Sequence, residues 1–117
     1  MTAAKYDMVI EQGADFVLPI IWQDATEAPL NLAGYTARMQ ARATVTSPIV
    51  LIDASTTNSL ITITPATGTV TISIPAAQTA QFGWSNAVYD LELVSASGFV
   101  YRLLEGAITV VKEVTRA

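Results

Sequence analysis

The sequence predicts an all-β fold: an immunoglobulin-like, two-sheet antiparallel sandwich of seven to eight short strands with one short helix. Three observations predict it. Apolar and polar residues alternate along several segments, the signature of strands whose successive side chains point to opposite faces. Val, Ile and Thr dominate those segments, and β-branched side chains suit a half-buried pleated surface. Gly, Pro, Ser and Asn punctuate the runs at short, regular spacing, as hairpin turns require.

Taken in order, Val17-Leu-Pro-Ile-Ile-Trp22 reads as a strand at an edge or with a bulge, because Pro19 cannot donate a ladder hydrogen bond. Residues Gln23 to Asn31 read as a surface loop. Tyr35 to Arg42 alternates Tyr35, Ala37, Met39 and Ala41 against Thr36, Arg38, Gln40 and Arg42, giving one core face and one basic, polar face. Trp22 and Tyr35 are expected in the core, which large aromatics dominate in small domains. Leu60 to Thr64 and Thr69 to Ile74 continue the alternation, with Pro65 and Gly68 making the turn between them.

Pro75 and Ala76 to Ala80, stopped by Gly83, give a helix of about two turns that plugs one end of the sheets. Val88 to Leu93 puts Tyr89, Leu91 and Leu93 inward and Asp90 and Glu92 outward. Ser95 to Gly98 turns the chain into Phe99 to Leu104, and Gly106 suggests a bulge that redirects one long strand. The expectation is one domain over residues 1–117. Its termini, 1–5 and 114–117, have little to pack with and fray or reach across to neighbours.

Composition limits function. Of 117 residues, 51% are hydrophobic and only 14% charged, a low charge density for a free soluble monomer. Disorder is excluded by that hydrophobicity, and burial of some apolar surface against partners is expected. The net charge is −4, and the basic residues Lys5, Arg38, Arg42, Arg102, Lys112 and Arg116 form no dense run, so nucleic acid is not an expected partner. The longest apolar stretch, Phe16 to Trp22, is far short of the roughly 20 residues of a membrane helix. Neither a membrane nor a signal peptide is expected.

Chemistry is sparse. The sequence has no Cys and no His, which removes disulfides, thiolate ligands and the commonest general base. Asp90 and Glu92 are the best carboxylate pair, on one face of a strand, but nothing in the sequence marks a cleft there. Pairing with Arg38, Arg42 and Arg102 on neighbouring strands is the simpler role, and a hydrolase using the two carboxylates is the sharper alternative. Asp15, Asp24, Glu27 and Asp53 are scattered and lack the spacing of a calcium loop. No cofactor and no catalytic residue is expected. Phe82 and Trp84 flank Gly83: both can plug the core, or either can anchor a contact if exposed. The candidate interface residues are therefore Phe82, Trp84, Arg38 and Arg42.

Several strings together resemble a known family. They are Gln12-Gly-Ala-Asp-Phe16 with Ile20-Ile-Trp22, and Leu32-Ala-Gly-Tyr-Thr-Ala-Arg-Met-Gln-Ala-Arg42. Ile74-Pro-Ala-Ala-Gln-Thr-Ala80, Tyr89-Asp-Leu-Glu-Leu-Val94, Arg102-Leu-Leu-Glu-Gly106 and Val114-Thr-Arg116 complete the set. The chain resembles small prophage-encoded virion proteins found among the tail genes of tailed bacteriophages. It is also similar to the immunoglobulin-like amino-terminal domain of siphophage upper baseplate proteins.

The resemblance runs from about Tyr6 to Arg116 and transfers no catalytic residue. It implies a structural component of the tail or baseplate, in several symmetric copies, whose partners are other virion proteins and copies of itself. In longer relatives this domain docks to the tail and a following segment carries receptor binding. With the sequence ending at Ala117, an adaptor or connector made in the host cytoplasm is expected. A capsid decoration or head–tail connector protein, or a receptor- or carbohydrate-binding module using Trp84, are the alternatives.

Overall fold

The computed structural model describes residues 3–115, and these form an all-β sandwich of two sheets with one short helix. The strands are β1 (Ala4–Lys5), β2 (Met8–Glu11), β3 (Phe16–Ile21), β4 (Thr36–Arg42), β5 (Ile52–Ser55), β6 (Ile61–Thr64), β7 (Thr69–Ile74), β8 (Asn86–Val94) and β9 (Val100–Val111). The large sheet has the order β1-β9-β8-β4-β5, with β2 also paired to β9. The small sheet has the order β3-β7-β6.

Strands β1 and β2 are one strand interrupted at Tyr6 and Asp7. Both run parallel to β9 with the same register offset, Ala4 opposite Leu104 and Met8 opposite Ile108. Counted so, the sandwich has eight strands, and every other described strand pairing is antiparallel.

The period-two pattern places the core. Ala37, Met39 and Ala41 from β4, Val70, Ile72 and Ile74 from β7, and Ala87, Tyr89, Leu91 and Leu93 from β8 are buried. Met8, Ile10, Ile52, Ile61, Ile108 and Val110 join them between the sheets. Burial of each large apolar side chain contributes roughly 1.5–3 kcal/mol, so these facing layers are what hold the two sheets together.

Pro19 sits in β3, an edge strand of the small sheet. The Trp22 N–H bonds the Gly68 carbonyl at 2.9 Å. By alternation, the backbone groups of Ile20 and Leu18 also face β7, while those of Val17, Pro19 and Ile21 face the open edge. Proline thus occupies a position where no ladder bond is lost, and it blunts the edge against further pairing. Gly68 has φ 61°, and a Cβ there would lie 2.7 Å from the Leu30 carbonyl oxygen. Glycine is therefore required at this turn on both counts.

Three expectations need correction. Gly106 is no bulge: it stays in register opposite Tyr89, and the irregularity falls beside Leu103, the residue left over between the Leu91–Leu104 and Glu92–Arg102 pairs. That is why Leu103 and Leu104 are buried consecutively. Gly106 is small because the Tyr6 carbonyl crosses directly over it, where a Cβ would sit.

The helix α1 (Ala76–Thr79) is a single turn, not two. Phe82 is only 5% exposed, so the chain must turn into the core before a second turn can form. Trp22 and Tyr35 lie just outside β3 and β4 and are half-buried at one end of the sandwich, packed against the core rather than within it.

The termini divide. Ala4 and Lys5 are paired to β9 and the Lys5 Nζ lies 2.8 Å from Glu105 Oε2, whereas Val114 and Thr115 are exposed. Residues 1, 2, 116 and 117 of the expected mobile ends lie outside the described residues.

Candidate interaction surfaces

The outward positions of β4, β8 and β9 carry most of the charged candidates. Register places Arg38 opposite Glu92, and Glu92 opposite Arg102. Arg38 Nε donates to Glu92 Oε1 at 2.8 Å, and Arg102 Nε lies 3.6 Å from Asp90 Oδ2. Each carboxylate of the Asp90/Glu92 pair thus has its own arginine on a neighbouring strand. Among the described residues Arg42 pairs with no carboxylate; its guanidinium donates to the Gln40 side-chain oxygen at 2.9 Å and to the Ser47 carbonyl at 2.8 Å. Arg38 and Arg42 are therefore held by partners within the chain.

A cleft does exist here, contrary to the sequence reading. Asp90 and Glu92 line an open trough of about 550 Å³ with Lys5, Arg42, Val45, Arg102 and Glu105. It arises because β1 brings Lys5 to one side of the sheet and the β4–β5 loop raises Val45 beside Arg42. Both walls come from segments distant in sequence from β8, so nothing in the alternating strand could announce them. Partial burial pushes the Asp90 carboxyl above the usual carboxylate range, Glu92 adding to the shift and Arg102 opposing it. Directly opposite Asp90 on β9, the hydrogen bond and charge of Lys5 hold Glu105 below that range.

Phe82 and Trp84 part company. Their rings pack 5.1 Å apart at 34°, but Phe82 is in the core while Trp84 is half-buried. Phe82 thus plugs the core and presents no contact surface. The intervening backbone is pinned: Lys112 Nζ donates to the Phe82 and Trp84 carbonyls at 3.1 and 2.7 Å, and Gln12 Nε2 to the Phe82 carbonyl at 3.0 Å.

Two of the scattered carboxylates have structural work. Asp15 Oδ1 accepts the Ala76 N–H at 2.7 Å, capping α1 from a distance of 61 residues. Asp24 Oδ1 accepts from the Thr26 hydroxyl and from the Thr26 and Ala28 N–H groups. Those bonds, the hydroxyl's above all, hold its carboxyl below the usual range. Among the described residues no three Asp or Glu side chains gather in a way that could hold a metal ion.

The small sheet presents a different surface. Its outward positions are Val17, Pro19 and Ile21 on β3, Thr62 and Thr64 on β6, and Thr69, Thr71 and Ser73 on β7. Not one is charged. Val17 and Ile21 are each more than half exposed.

Two further apolar patches escaped the sequence reading. The β4–β5 loop exposes Val45 at 83% and Ile49 at 66%. At the other end of β4, Trp22, Tyr35 and Tyr101 form an aromatic cluster, with centroids 5.3 to 6.4 Å apart, and Phe99 stacks on Tyr101 at 4.5 Å. The available signal was the absence of charge from Ala43 to Ile52 and from Leu93 to Tyr101. Neither a family model nor a curated protein matches this chain.

Proposed function

We propose that this chain is a non-enzymatic structural protein of a tailed-bacteriophage virion, a tail-tip or baseplate adaptor that packs against other virion proteins. The observation that supports it most is the uncharged outer face of the small sheet. Apolar side chains exposed on a regular, rigid strand surface mark a site of protein contact more often than a free surface. The low overall charge points the same way. The two-sheet sandwich is compatible with the immunoglobulin-like domain that the sequence resemblance implies, and that finer assignment is part of the same proposal. Enzymatic work finds little support, because Asp90 and Glu92 are each engaged by an arginine in an open trough.

Electron cryomicroscopy of whole particles tests the reading. Density for this fold is expected at the tail tip or baseplate, with β3, β7 and β6 turned toward a neighbouring subunit. Density on the capsid lattice would establish the decoration alternative instead, and absence from the particle would end the structural reading. Glycan binding lost on Trp84→Ala would favour the recognition-module alternative.

A further inference from the structure

We propose that this domain has a mechanical function: β1 and β2 against β9 form a clamp that bears tension applied between the two ends of the chain. The proposal goes beyond the adaptor reading, since it holds whatever the two ends are attached to.

Topology supplies the argument. Among the described residues, parallel pairing occurs only where the first strands meet the last. In a parallel pair both strands run the same way, so the chain enters β1 at one end of the ladder and leaves β9 at the other. Tension between those two ends drives the strands past each other along their common axis. Every bond across the ladder is then loaded at once, and all must fail together. A force that parts the two strands at the same end of the ladder opens it one pair at a time. Forced unfolding follows the barrier to rupture rather than the equilibrium stability, so the same bonds resist the first geometry far better than the second.

The ladder runs from Ala4 opposite Leu104 to Glu11 opposite Val111, roughly 25 Å of overlap. Its interruption at Tyr6 and Asp7 is bridged. The Tyr6 N–H donates to the Glu105 carbonyl at 3.0 Å, and Asp7 Oδ1 accepts the Ala107 N–H at 3.0 Å. The Tyr89 hydroxyl ties the Tyr6 carbonyl to β8. Sliding also draws Met8 and Ile10, both buried, out of the core, which adds the cost of exposing apolar surface to that of breaking the bonds.

Both ends of the ladder are reinforced where load enters. At the start stands the Lys5–Glu105 ion pair. At the far end the Gln12 N–H donates to the Val111 carbonyl at 2.9 Å, and Gln12 Oε1 accepts the Glu113 N–H at 2.9 Å. Lys112 ties the departing chain to the Phe82 and Trp84 carbonyls. Strand β9 is itself paired along the whole of β8, so the load passes into the large sheet.

Single-molecule force spectroscopy tests the clamp. The sequence has no Cys, so any two engineered thiols are unique handles. One protein carries a cysteine added at each end of the sequence. Two others load the ladder from one end only. The first combines an added amino-terminal cysteine with Ser97→Cys, exposed in the turn before β9; the second combines Ala14→Cys, exposed just after β2, with an added carboxy-terminal cysteine.

End-to-end pulling should need about twofold more force than either one-ended geometry at equal loading rate, and should release the fold in one step. Urea midpoints that agree among the three proteins show that the difference is one of direction. Should one loop variant be destabilised, the other carries the comparison. An end-to-end force no higher than the one-ended force overturns the proposal. So does an early, low-force event in the end-to-end traces that frees only the residues up to Glu11. Either result leaves the adaptor reading standing, because contact with neighbours does not require the chain to bear tension.

Discussion

The two outer faces of the sandwich are made from the same kind of alternating strand, yet their chemistry is opposite. On the large sheet, Arg38, Asp90, Glu92, Arg102 and Glu105 point outward, and ion pairs join them across the strands. On the small sheet the outward positions are Val, Ile, Pro, Thr and Ser alone. A face whose charges are already paired internally offers a partner few unsatisfied groups. A face with no charges asks no partner to desolvate any: burial of Val17, Pro19 and Ile21 is favourable outright, and the Thr and Ser hydroxyls need only neutral hydrogen-bond partners. The charged surface, which alternation makes conspicuous, is therefore the poorer candidate for a permanent interface.

The charged face also depends on a contact that the neutral face lacks. Lys5 reaches Glu105 only because β1 lies along β9, and β1 lies there because Gly106 lets the Tyr6 backbone pass. Tyr89 secures the crossing by donating its hydroxyl to the Tyr6 carbonyl. Gly106→Ala should give the largest effect in the molecule. A backbone carbonyl cannot swing aside as a side chain can, so a loss of about 3 kcal/mol is expected, with β1 displaced and the Lys5–Glu105 pair broken. Gly83→Ala is the control, since a Cβ there meets nothing within 4 Å and its φ is not positive; urea unfolding should show no significant loss. Equal stability of the two variants would show that the Tyr6 crossing does not fix β1.

The fold was legible because its information is local. Alternation along Tyr35 to Arg42, Thr69 to Ile74 and Val88 to Leu93 assigns each residue a side without knowledge of any partner, and the buried set agrees. Pro19 marked an edge for a reason internal to its own strand. Gly106 marked an anomaly, but the cause sits 100 residues away in sequence at Tyr6. The trough was hidden for the same reason: its walls, Lys5 and Val45, come from segments 40 residues apart in the sequence and meet only in the folded sheet. Phe99 was assigned to a strand by its neighbours, but it lies just before β9 and stands exposed, with its ring against Tyr101.

A smaller effect separates pairing from binding on the charged face. Arg38 Nε and Glu92 Oε1 are 2.8 Å apart, with the Arg38 side chain more than half exposed. A double-mutant cycle over Arg38→Ala and Glu92→Ala should give a coupling of about 0.5 kcal/mol, the ordinary worth of a solvated ion pair. Urea midpoints of the four proteins measure it. A coupling above about 2 kcal/mol would mean that the face is far drier than its exposure indicates, and would restore it as an interface candidate.

The smallest effect comes from Asp90 and distinguishes the faces by pH. The outward positions of the small sheet hold no titratable group, so proton linkage from the two outer faces belongs to the large sheet. Burial raises the folded-state pKa of Asp90 above its unfolded value, with Glu92 reinforcing the shift. In the window from about pH 4, the ordinary Asp value, up to that raised value, the folded chain holds more of this proton than the unfolded chain does. Stability from this group therefore falls as pH rises through the window. Asp90→Asn, which mimics the protonated form, should match the parent protein below about pH 4 and exceed it above, by well under about 1 kcal/mol for so solvated a group. Asp24 and Glu105, held below their usual range, act with the opposite sign and at lower pH, and the substitution leaves them in place. Urea midpoints from about pH 3 to about pH 7 should thus diverge upward from a common acid limb. Curves that stay parallel through the window would mean that Asp90 is solvated as freely as any surface carboxylate, and that the trough excludes no water from it.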